Sequence, residues 1–77
     1  MPRVNMPIRQ QEIYDELVDS AGGARMLTLR QIGIFFGKDD RSVRKFVRSF
    51  ELPKFNLNGL YVYAARDVAK AVYNSEE

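Results

Sequence analysis

Four basic side chains recur in the middle of the chain at a spacing that places them on one side of a helix. They are Arg41, Arg44, Lys45 and Arg48. Residues three and four positions apart are neighbours on a helix surface, so these side chains would project together. A guanidinium fork can donate to O6 and N7 of guanine, and both residue types bind phosphate oxygens. The same spacing also fits a solvated helix face, on which Asp40 would pair with Arg44.

Positive charge is concentrated in the central part of the sequence. The whole chain carries a net charge of +2, but residues 27–73 hold nine Lys or Arg against four Asp or Glu. Residues 1–26 are slightly acidic instead. A basic block of this kind is expected of a nucleic-acid binder. Charge alone fits an ordinary solvated surface equally well.

The composition excludes several classes of functional site. The chain has no cysteine and no histidine, which excludes zinc fingers and nucleophilic sites that depend on histidine. Gly22-Gly23 is typical of a helix end rather than a nucleotide-binding loop. We therefore expect no enzymatic activity, no cofactor, no metal and no small-molecule substrate. The sequence has neither an apolar run of membrane length nor a leader pattern, and we expect a cytoplasmic protein without membrane contact.

A first motif helix is predicted over residues 28–36, just before the basic residues. Thr28 followed by Gln31 is a capping-box pattern, and Gly37 stands where a left-handed residue commonly ends a helix. Gly33 inside this helix costs about 1 kcal/mol relative to alanine. We expect close approach of the next helix to compensate for that cost.

The basic residues belong to a second motif helix, predicted over residues 40–50. Asp39 is a suitable cap, and Pro53 prevents continuation of the helix. The apolar positions recur at helical spacing opposite the basic side: Val43, Phe46, Val47 and Phe50. Two helices joined by a turn at residues 37–39 form a helix-turn-helix, whose second helix can enter the major groove of DNA.

A β-hairpin is predicted directly after the helix-turn-helix. Residues 54–57 and 60–63 have a period of two on either side of Asn58-Gly59, which is a strong hairpin signal. Tyr61 and Tyr63 share one face of the second strand, and we expect at least one of them in the core. We also expect Phe35, Phe36, Phe46, Phe50 and Phe55 to be core residues.

The predicted motif is flanked by two further helices. An acidic helix over residues 7–21 follows a loose lead-in at residues 1–6, and a short helix over residues 65–73 precedes a frayed tail at 74–77. On the apolar side of the acidic helix, Ile13, Tyr14 and Leu17 fit the domain core better than a contact between two copies, although both remain open.

Residues 27–73, about sixty per cent of the chain, resemble the winged-helix domain shared by MerR-type regulators, phage excisionase-like proteins and some phage terminase small subunits. The resemblance rests on an ordered set of segments without a gap: Leu27-Thr28-Leu29-Arg30-Gln31-Ile32, Phe35-Phe36-Gly37, Arg41-Ser42-Val43-Arg44-Lys45-Phe46-Val47, Leu52-Pro53-Lys54-Phe55, Asn58-Gly59, Tyr61-Val62-Tyr63 and Arg66-Asp67-Val68.

The resemblance implies a recognition helix that faces DNA and a wing that touches the DNA backbone or minor groove. It places Asp40, Arg41, Ser42, Arg44 and Lys45 on that helix and Asn56, Asn58 and Gly59 in the wing. The sequence departs from the family pattern in its uncharged wing tip, in the acidic pair Asp39-Asp40 at the helix start, and in a closing helix without a large apolar residue near Ala71.

We therefore expect one mainly α-helical domain with a small β-hairpin, a winged helix-turn-helix over residues 27–73 with the accessory helix 7–21. The expected function is sequence-specific binding of double-stranded DNA by a small phage- or mobile-element-type transcriptional regulator or excisionase-like accessory factor. The alternatives are a protein-interaction module and the DNA-recognition subunit of a phage packaging complex. Two copies could associate through the helix at 8–21 or on DNA. The candidate contact residues, from the helix at 40–50, its neighbouring helix and the wing at 55–63, are Arg41, Ser42, Arg44, Lys45, Arg48, Arg30, Lys54 and Asn58.

Overall fold

Four helices and three short strands follow one another over residues 6–76, the part of the chain that the computed structural model describes. They are α1 (Ile8–Ser20), β1 (Met26–Leu27), α2 (Leu29–Phe36), α3 (Asp40–Ser49), β2 (Phe55–Leu57), β3 (Leu60–Ala64) and α4 (Ala65–Ser75). This order confirms the predicted fold class, a mainly helical winged helix-turn-helix with an N-terminal helix. The predicted lead-in at residues 1–6 lies almost entirely outside the described residues. None of the four helices is long and apolar enough to cross a membrane.

The start and end of α2 follow the predicted capping pattern. The Gln31 backbone N–H donates to the Thr28 hydroxyl oxygen at 3.1 Å, and the Thr28 N–H donates to the Gln31 side-chain oxygen at 2.9 Å. Gly37 ends the helix in the left-handed region, with φ of 69°. Interactions between neighbouring residues thus define both ends of α2, and they satisfy backbone groups that a helix leaves unpaired.

Gly33 is required by the tight turn between α2 and α3. The Lys38 backbone N–H donates to the Gly33 carbonyl oxygen at 2.9 Å. A β-carbon at position 33 would lie 2.7 Å from the Lys38 carbonyl oxygen and 3.4 Å from a methyl group of Val43. The expected close approach is confirmed, although its nearest atom belongs to the turn rather than to α3.

The hairpin forms where Asn58-Gly59 predicted it. Leu57 pairs with Leu60, so the connection has two residues, and both adopt positive φ angles of 53° and 88°. Positive φ at both positions is the type I′ arrangement that matches the twist of a hairpin. The Asn56 side-chain oxygen accepts a hydrogen bond from the Gly59 N–H at 2.7 Å, which ties the turn to the strand.

A third strand joins the hairpin to the rest of the fold. Met26 pairs with Ala64 and Leu27 with Tyr63, which gives an antiparallel sheet in the order β1-β3-β2. The sequence indicated a short extended piece at Met26-Leu27 but no partner for it. Because β1 leads directly into α2, this pairing fixes the base of the wing next to the helix-turn-helix.

The core lies between α1, α4, the two motif helices and the inner face of the sheet. Ile13 and Leu17 of α1 are fully buried and belong to it, so the expected core role of these residues is confirmed. A contact between two copies through helix 8–21 would have to use its exposed side. The buried cluster consists of Ile13, Leu17, Leu27, Ile32, Val43, Val47, Tyr63, Ala65, Val68 and Ala69. α1 packs against α4, whose buried side chains are Ala65, Val68, Ala69 and Ala71.

The last helix reaches further than predicted. It continues to Ser75, two residues beyond the expected end, and Glu76 follows it with an ion pair to Arg9 at the start of α1. The Arg9 guanidinium donates to the Glu76 carboxylate at 2.7 Å, and this bond holds the pKa of Glu76 below its ordinary value. Of the predicted tail, Glu77 lies outside the described residues.

Two phenylalanines that were expected in the core are exposed. Phe50 is 39% exposed and Phe55 is 47% exposed. Phe50 caps the end of α3, where the chain turns away, and Phe55 lies on the edge strand of the sheet. The other three phenylalanines pack against the core, with edge-to-face contacts between neighbouring rings: Phe35, Phe36 and Phe46.

Candidate nucleic-acid interface

Helix α3, the second helix of the helix-turn-helix, has two sharply different faces. Val43 and Val47 point into the core and are buried, and Phe46 packs against the same cluster. The opposite face carries four exposed basic side chains, Arg41, Arg44, Lys45 and Arg48, while the exposed Ser42 lies at the edge of the apolar face beside Phe46. The apolar spacing in the sequence therefore predicted correctly which side of this helix meets solvent.

The basic side chains of α3 are not neutralised within the domain. Over residues 6–76, the only ion pairs are those that Arg9 makes with Glu12 and Glu76. The pair between Asp40 and Arg44, which the (i, i+4) spacing allowed, does not form. The cations of α3 are consequently free to bind an external anion, and Asp40 remains an exposed carboxylate without an ion-pair partner among the described residues.

The first of the two aspartates before α3 has a structural role. The Asp39 carboxylate accepts a hydrogen bond from the Ser42 backbone N–H at 2.9 Å and caps the helix. This hydrogen bond is the main reason that the pKa of Asp39 lies below its ordinary value of 3.8. Asp39 thus occupies one of the N–H groups that could otherwise bind a phosphate at the helix start.

A depression between α3 and the wing brings three cations together. Arg44 and Arg48 line it from α3, and Lys54 lines it from the segment that precedes β2. The depression has a volume of about 440 Å³, and its remaining lining is formed by Leu29, Val47, Tyr61 and Tyr63. We call this site the cationic cleft. Its two walls belong to the two elements that the resemblance assigns to DNA contact.

Lys54 is held over an aromatic ring in the cationic cleft. Its Nζ atom lies 4.6 Å from the ring centroid of Tyr61, a cation–π geometry. Tyr61 is about half exposed, whereas Tyr63 on the same face is buried, as expected for at least one of the two. The ring places the Lys54 charge beside the recognition helix while its ammonium group stays accessible.

The remaining candidate residues lie elsewhere on the surface. Arg30 lines a separate depression beside the turn after α2, together with Asp39 and Asp40. Asn58 lies at the wing tip and does not line the cationic cleft. The structure therefore brings together Arg44, Arg48 and Lys54. It leaves the other five candidates outside that group: Arg30, Arg41, Ser42, Lys45 and Asn58.

Tyr61 was not identified from the sequence as the ring over which Lys54 lies. The observed register pairs Asn56 with Tyr61, so Lys54 would be diagonal to that ring if the register were extended by one pair. The alternation in the two strands and the two-residue turn were enough to derive this register from the sequence. No pattern in the sequence indicated, however, that the ring would face α3 rather than solvent on the far side.

Comparisons of the chain with protein families, with curated proteins and with solved structures gave no match. The geometry of the surface is therefore the ground on which a function can be proposed.

Proposed function

We propose that this protein binds double-stranded DNA, with α3 in the major groove and the wing beside it, as a small transcriptional regulator or excisionase-like accessory factor of a phage or mobile element. Such a role places it in the cytoplasm of the host cell. The observation that carries the proposal is the convergence of Arg44, Arg48 and Lys54 in the cationic cleft, without an acidic partner over residues 6–76.

The dimensions of α3 suit this role. Its ten residues span roughly 15 Å, and the major groove of B-DNA is about 12 Å wide. Arg41 and Arg44 are three positions apart and project from the same side of the helix. These two are suited to read guanine edges bidentately, whereas Lys45, Arg48 and Lys54 are suited to phosphates.

The proposal predicts binding that weakens steeply with salt. Each Lys or Arg that neutralises a phosphate releases counterions from the duplex, so the logarithm of the affinity falls with the logarithm of the salt concentration. The test is a titration of the protein into a fluorescent pool of random 30-base-pair duplexes at low salt, repeated as the salt concentration is raised. Selection from the same pool then identifies preferred sequences.

Two matched charge variants make this titration specific for the proposed surface. One replaces Arg41, Arg44 and Arg48 by Gln, and the other replaces three exposed cations elsewhere, Arg25, Arg66 and Lys70, by Gln. Both lose the same net charge, so only a local contact distinguishes them. We expect the first variant to lose at least tenfold in affinity and the second to lose much less. Equal losses, or no duplex retained by folded protein, would contradict the proposal.

The second candidate function, a protein-interaction module, is favoured by a different observation. The wing exposes Phe55, Leu57 and Leu60 and carries no charge from residue 55 to 65. Such a surface suits an apolar partner better than a phosphate backbone. An absence of binding to every duplex, with both charge variants identical to wild type, would favour this candidate. The DNA-recognition subunit of a packaging complex would combine both surfaces.

A further inference from the structure

Tyr63 forms the floor of the cationic cleft. It is only 5% exposed and its ring belongs to the buried cluster, whereas the cations that line the cleft, Arg44, Arg48 and Lys54, are exposed. A tyrosine buried to this extent carries a hydroxyl group into apolar surroundings. Burial of such a group is costly unless it has a hydrogen-bond partner or reaches water.

The Tyr63 hydroxyl has no partner within the described part of the chain. It takes part in none of the side-chain hydrogen bonds over residues 6–76. Over the same residues, no buried polar side-chain atom is left without a partner. Both observations hold together only if the hydroxyl oxygen reaches the molecular surface. Tyr63 lines the cationic cleft, and this is where its hydroxyl opens.

Positive charge stands on two walls above this hydroxyl. Arg48 lines the cleft from α3, and Lys54 lines it from the segment before β2, with its Nζ atom 4.6 Å from the ring centroid of Tyr61. Neither cation has an ion-pair partner among residues 6–76. The cleft thus combines two charged donors at its rim with one neutral donor at its floor, a set that suits the oxygens of a phosphate group.

The remaining lining of the cleft is apolar and leaves room for more than a phosphate ion. It consists of Leu29, Val47 and the two tyrosine rings, around a volume of about 440 Å³. A water molecule takes up about 30 Å³ in the liquid, so a lone phosphate ion would leave most of this space to water. A sugar-phosphate unit also places sugar carbons against the apolar lining, and it therefore matches both parts of the cleft.

We propose that the cationic cleft binds one sugar-phosphate unit, and that the Tyr63 hydroxyl donates to its phosphate between Arg48 and Lys54. The inference rests on the proposed function, in which this unit belongs to the backbone of a duplex beside α3. Arg44, one helical turn before Arg48, stays available for base edges. Because the Tyr63 ring is held in the core, its hydroxyl has a fixed position that the flexible cations lack. Tyr63 is thus a positioning contact, which fixes the register of the helix on the duplex.

The removal of a single hydroxyl group tests this contact. Tyr63→Phe deletes the hydroxyl and keeps the ring, and Tyr73→Phe makes the same change in a half-buried tyrosine that does not line the cleft. We expect Tyr63→Phe to bind the random duplex pool about three- to tenfold more weakly than wild type, as for the loss of one hydrogen bond. The control should bind like wild type, and both variants should keep the wild-type melting temperature.

The salt dependence distinguishes this contact from those of the cations. A hydroxyl group carries no charge and releases no counterion, so Tyr63→Phe should keep the wild-type slope of affinity against salt concentration. A reduced slope, or a lower melting temperature, would show that the substitution acts by displacing the cations or the core, and would count against the inference.

A measurement without DNA tests the same site independently. Protein labelled with 3-fluorotyrosine gives one ¹⁹F signal for each of its four tyrosines, and the signal of Tyr63 is the one absent from Tyr63→Phe. At constant ionic strength, 2-deoxyribose 5-phosphate should shift this signal more than those of Tyr14 and Tyr73. Arg48→Gln should reduce the shift, because it removes one of the two rim charges.

The two measurements separate this inference from the proposed function. Duplex binding that is weakened in Tyr63→Phe assigns the bound unit to a DNA backbone. A shifted Tyr63 signal in a protein that binds no duplex assigns the cleft to a free sugar phosphate, and contradicts the proposed function alone. Wild-type duplex affinity in Tyr63→Phe, or a Tyr63 signal that moves no more than the other two, would overturn the inference.

Discussion

The recognition helix and the wing present opposite kinds of surface to the outside of the same small domain. The exposed side of α3 carries four cations, whereas the wing carries no charged residue and exposes two leucines and a phenylalanine. The helix is therefore suited to an anionic partner and to salt-sensitive binding, and the outer wing face to an apolar partner that salt affects little. The two surfaces can thus be altered independently by mutation, because they are located on different elements.

The largest effect is expected at Gly33, because this residue permits the tight turn that sets the position of α2 relative to α3. A Gly33→Ala substitution would force a β-carbon against the Lys38 carbonyl oxygen, so the backbone of the turn would have to move. We expect a loss of about 1–3 kcal/mol in the free energy of unfolding, and a melting temperature lower by roughly 5–20 °C. Circular dichroism measures both. The neighbouring Ile34→Ala, at an exposed helical position, is the control and should change the melting temperature little.

The next largest effect is expected at Arg44, on the exposed face of α3. If Arg44 reads a base, Arg44→Ala should cost about 1–3 kcal/mol on a selected duplex, or roughly 5- to 150-fold in affinity. Arg44→Lys should lose nearly as much, because an ammonium group lacks the planar fork. Fluorescence anisotropy on selected and scrambled duplexes measures the difference. Full retention of affinity by Arg44→Lys would assign this residue to a phosphate instead.

A smaller effect is expected at Lys54, which lines the cationic cleft from the segment that precedes the wing. Lys54→Ala should weaken duplex binding a few-fold and equally for all sequences, and should reduce the salt slope by about one. Lys54→Arg, which keeps the charge over the Tyr61 ring, should behave like wild type. The measurement is the affinity at several salt concentrations. An unchanged slope for Lys54→Ala would show that the wing base does not reach the DNA.

The smallest effect concerns the pH dependence of the helix start. The pKa of Asp39 is lower in the folded protein than its ordinary value of 3.8, so its cap stabilises the fold above that pH. This contribution is lost as the pH falls through the folded pKa. Melting temperatures measured from pH 6 to pH 2.5 should decrease less steeply for Asp39→Asn, which keeps a capping oxygen but does not titrate. An identical decrease in both proteins would contradict this role.

The helices and the hairpin turn could be predicted because short-range chemistry determines them. Thr28, Gln31, Asp39 and the Asn58-Gly59 pair act on backbone groups within a few residues, and each is found where its type predicted. The spacing of Val43 and Val47 likewise indicated the inner side of α3, since helical periodicity alone separates the two faces.

The contacts between distant segments could not be predicted in the same way. The pairing of β1 with β3 and the ion pair between Arg9 and Glu76 join residues that are far apart in the sequence. Phe50 and Phe55 were wrongly placed in the core because residue type indicates a preference for burial but not whether another element is present to cover the side chain. Arg44, Arg48 and Lys54 were each named as candidate contact residues, but their convergence in one cleft depends on which face of the wing turns toward α3.

The ion pair between Arg9 and Glu76 has a practical consequence for protein engineering. It brings the first turn of the first helix against the residue that follows the last helix, so the two ends of the described chain are adjacent in space. A short flexible linker is then enough to connect them, and new termini can be opened at an exposed loop. A circular permutant opened at Gly22-Gly23 would keep every helix and strand of the described residues intact, and would present its new ends at that loop for fluorophores or fusion partners.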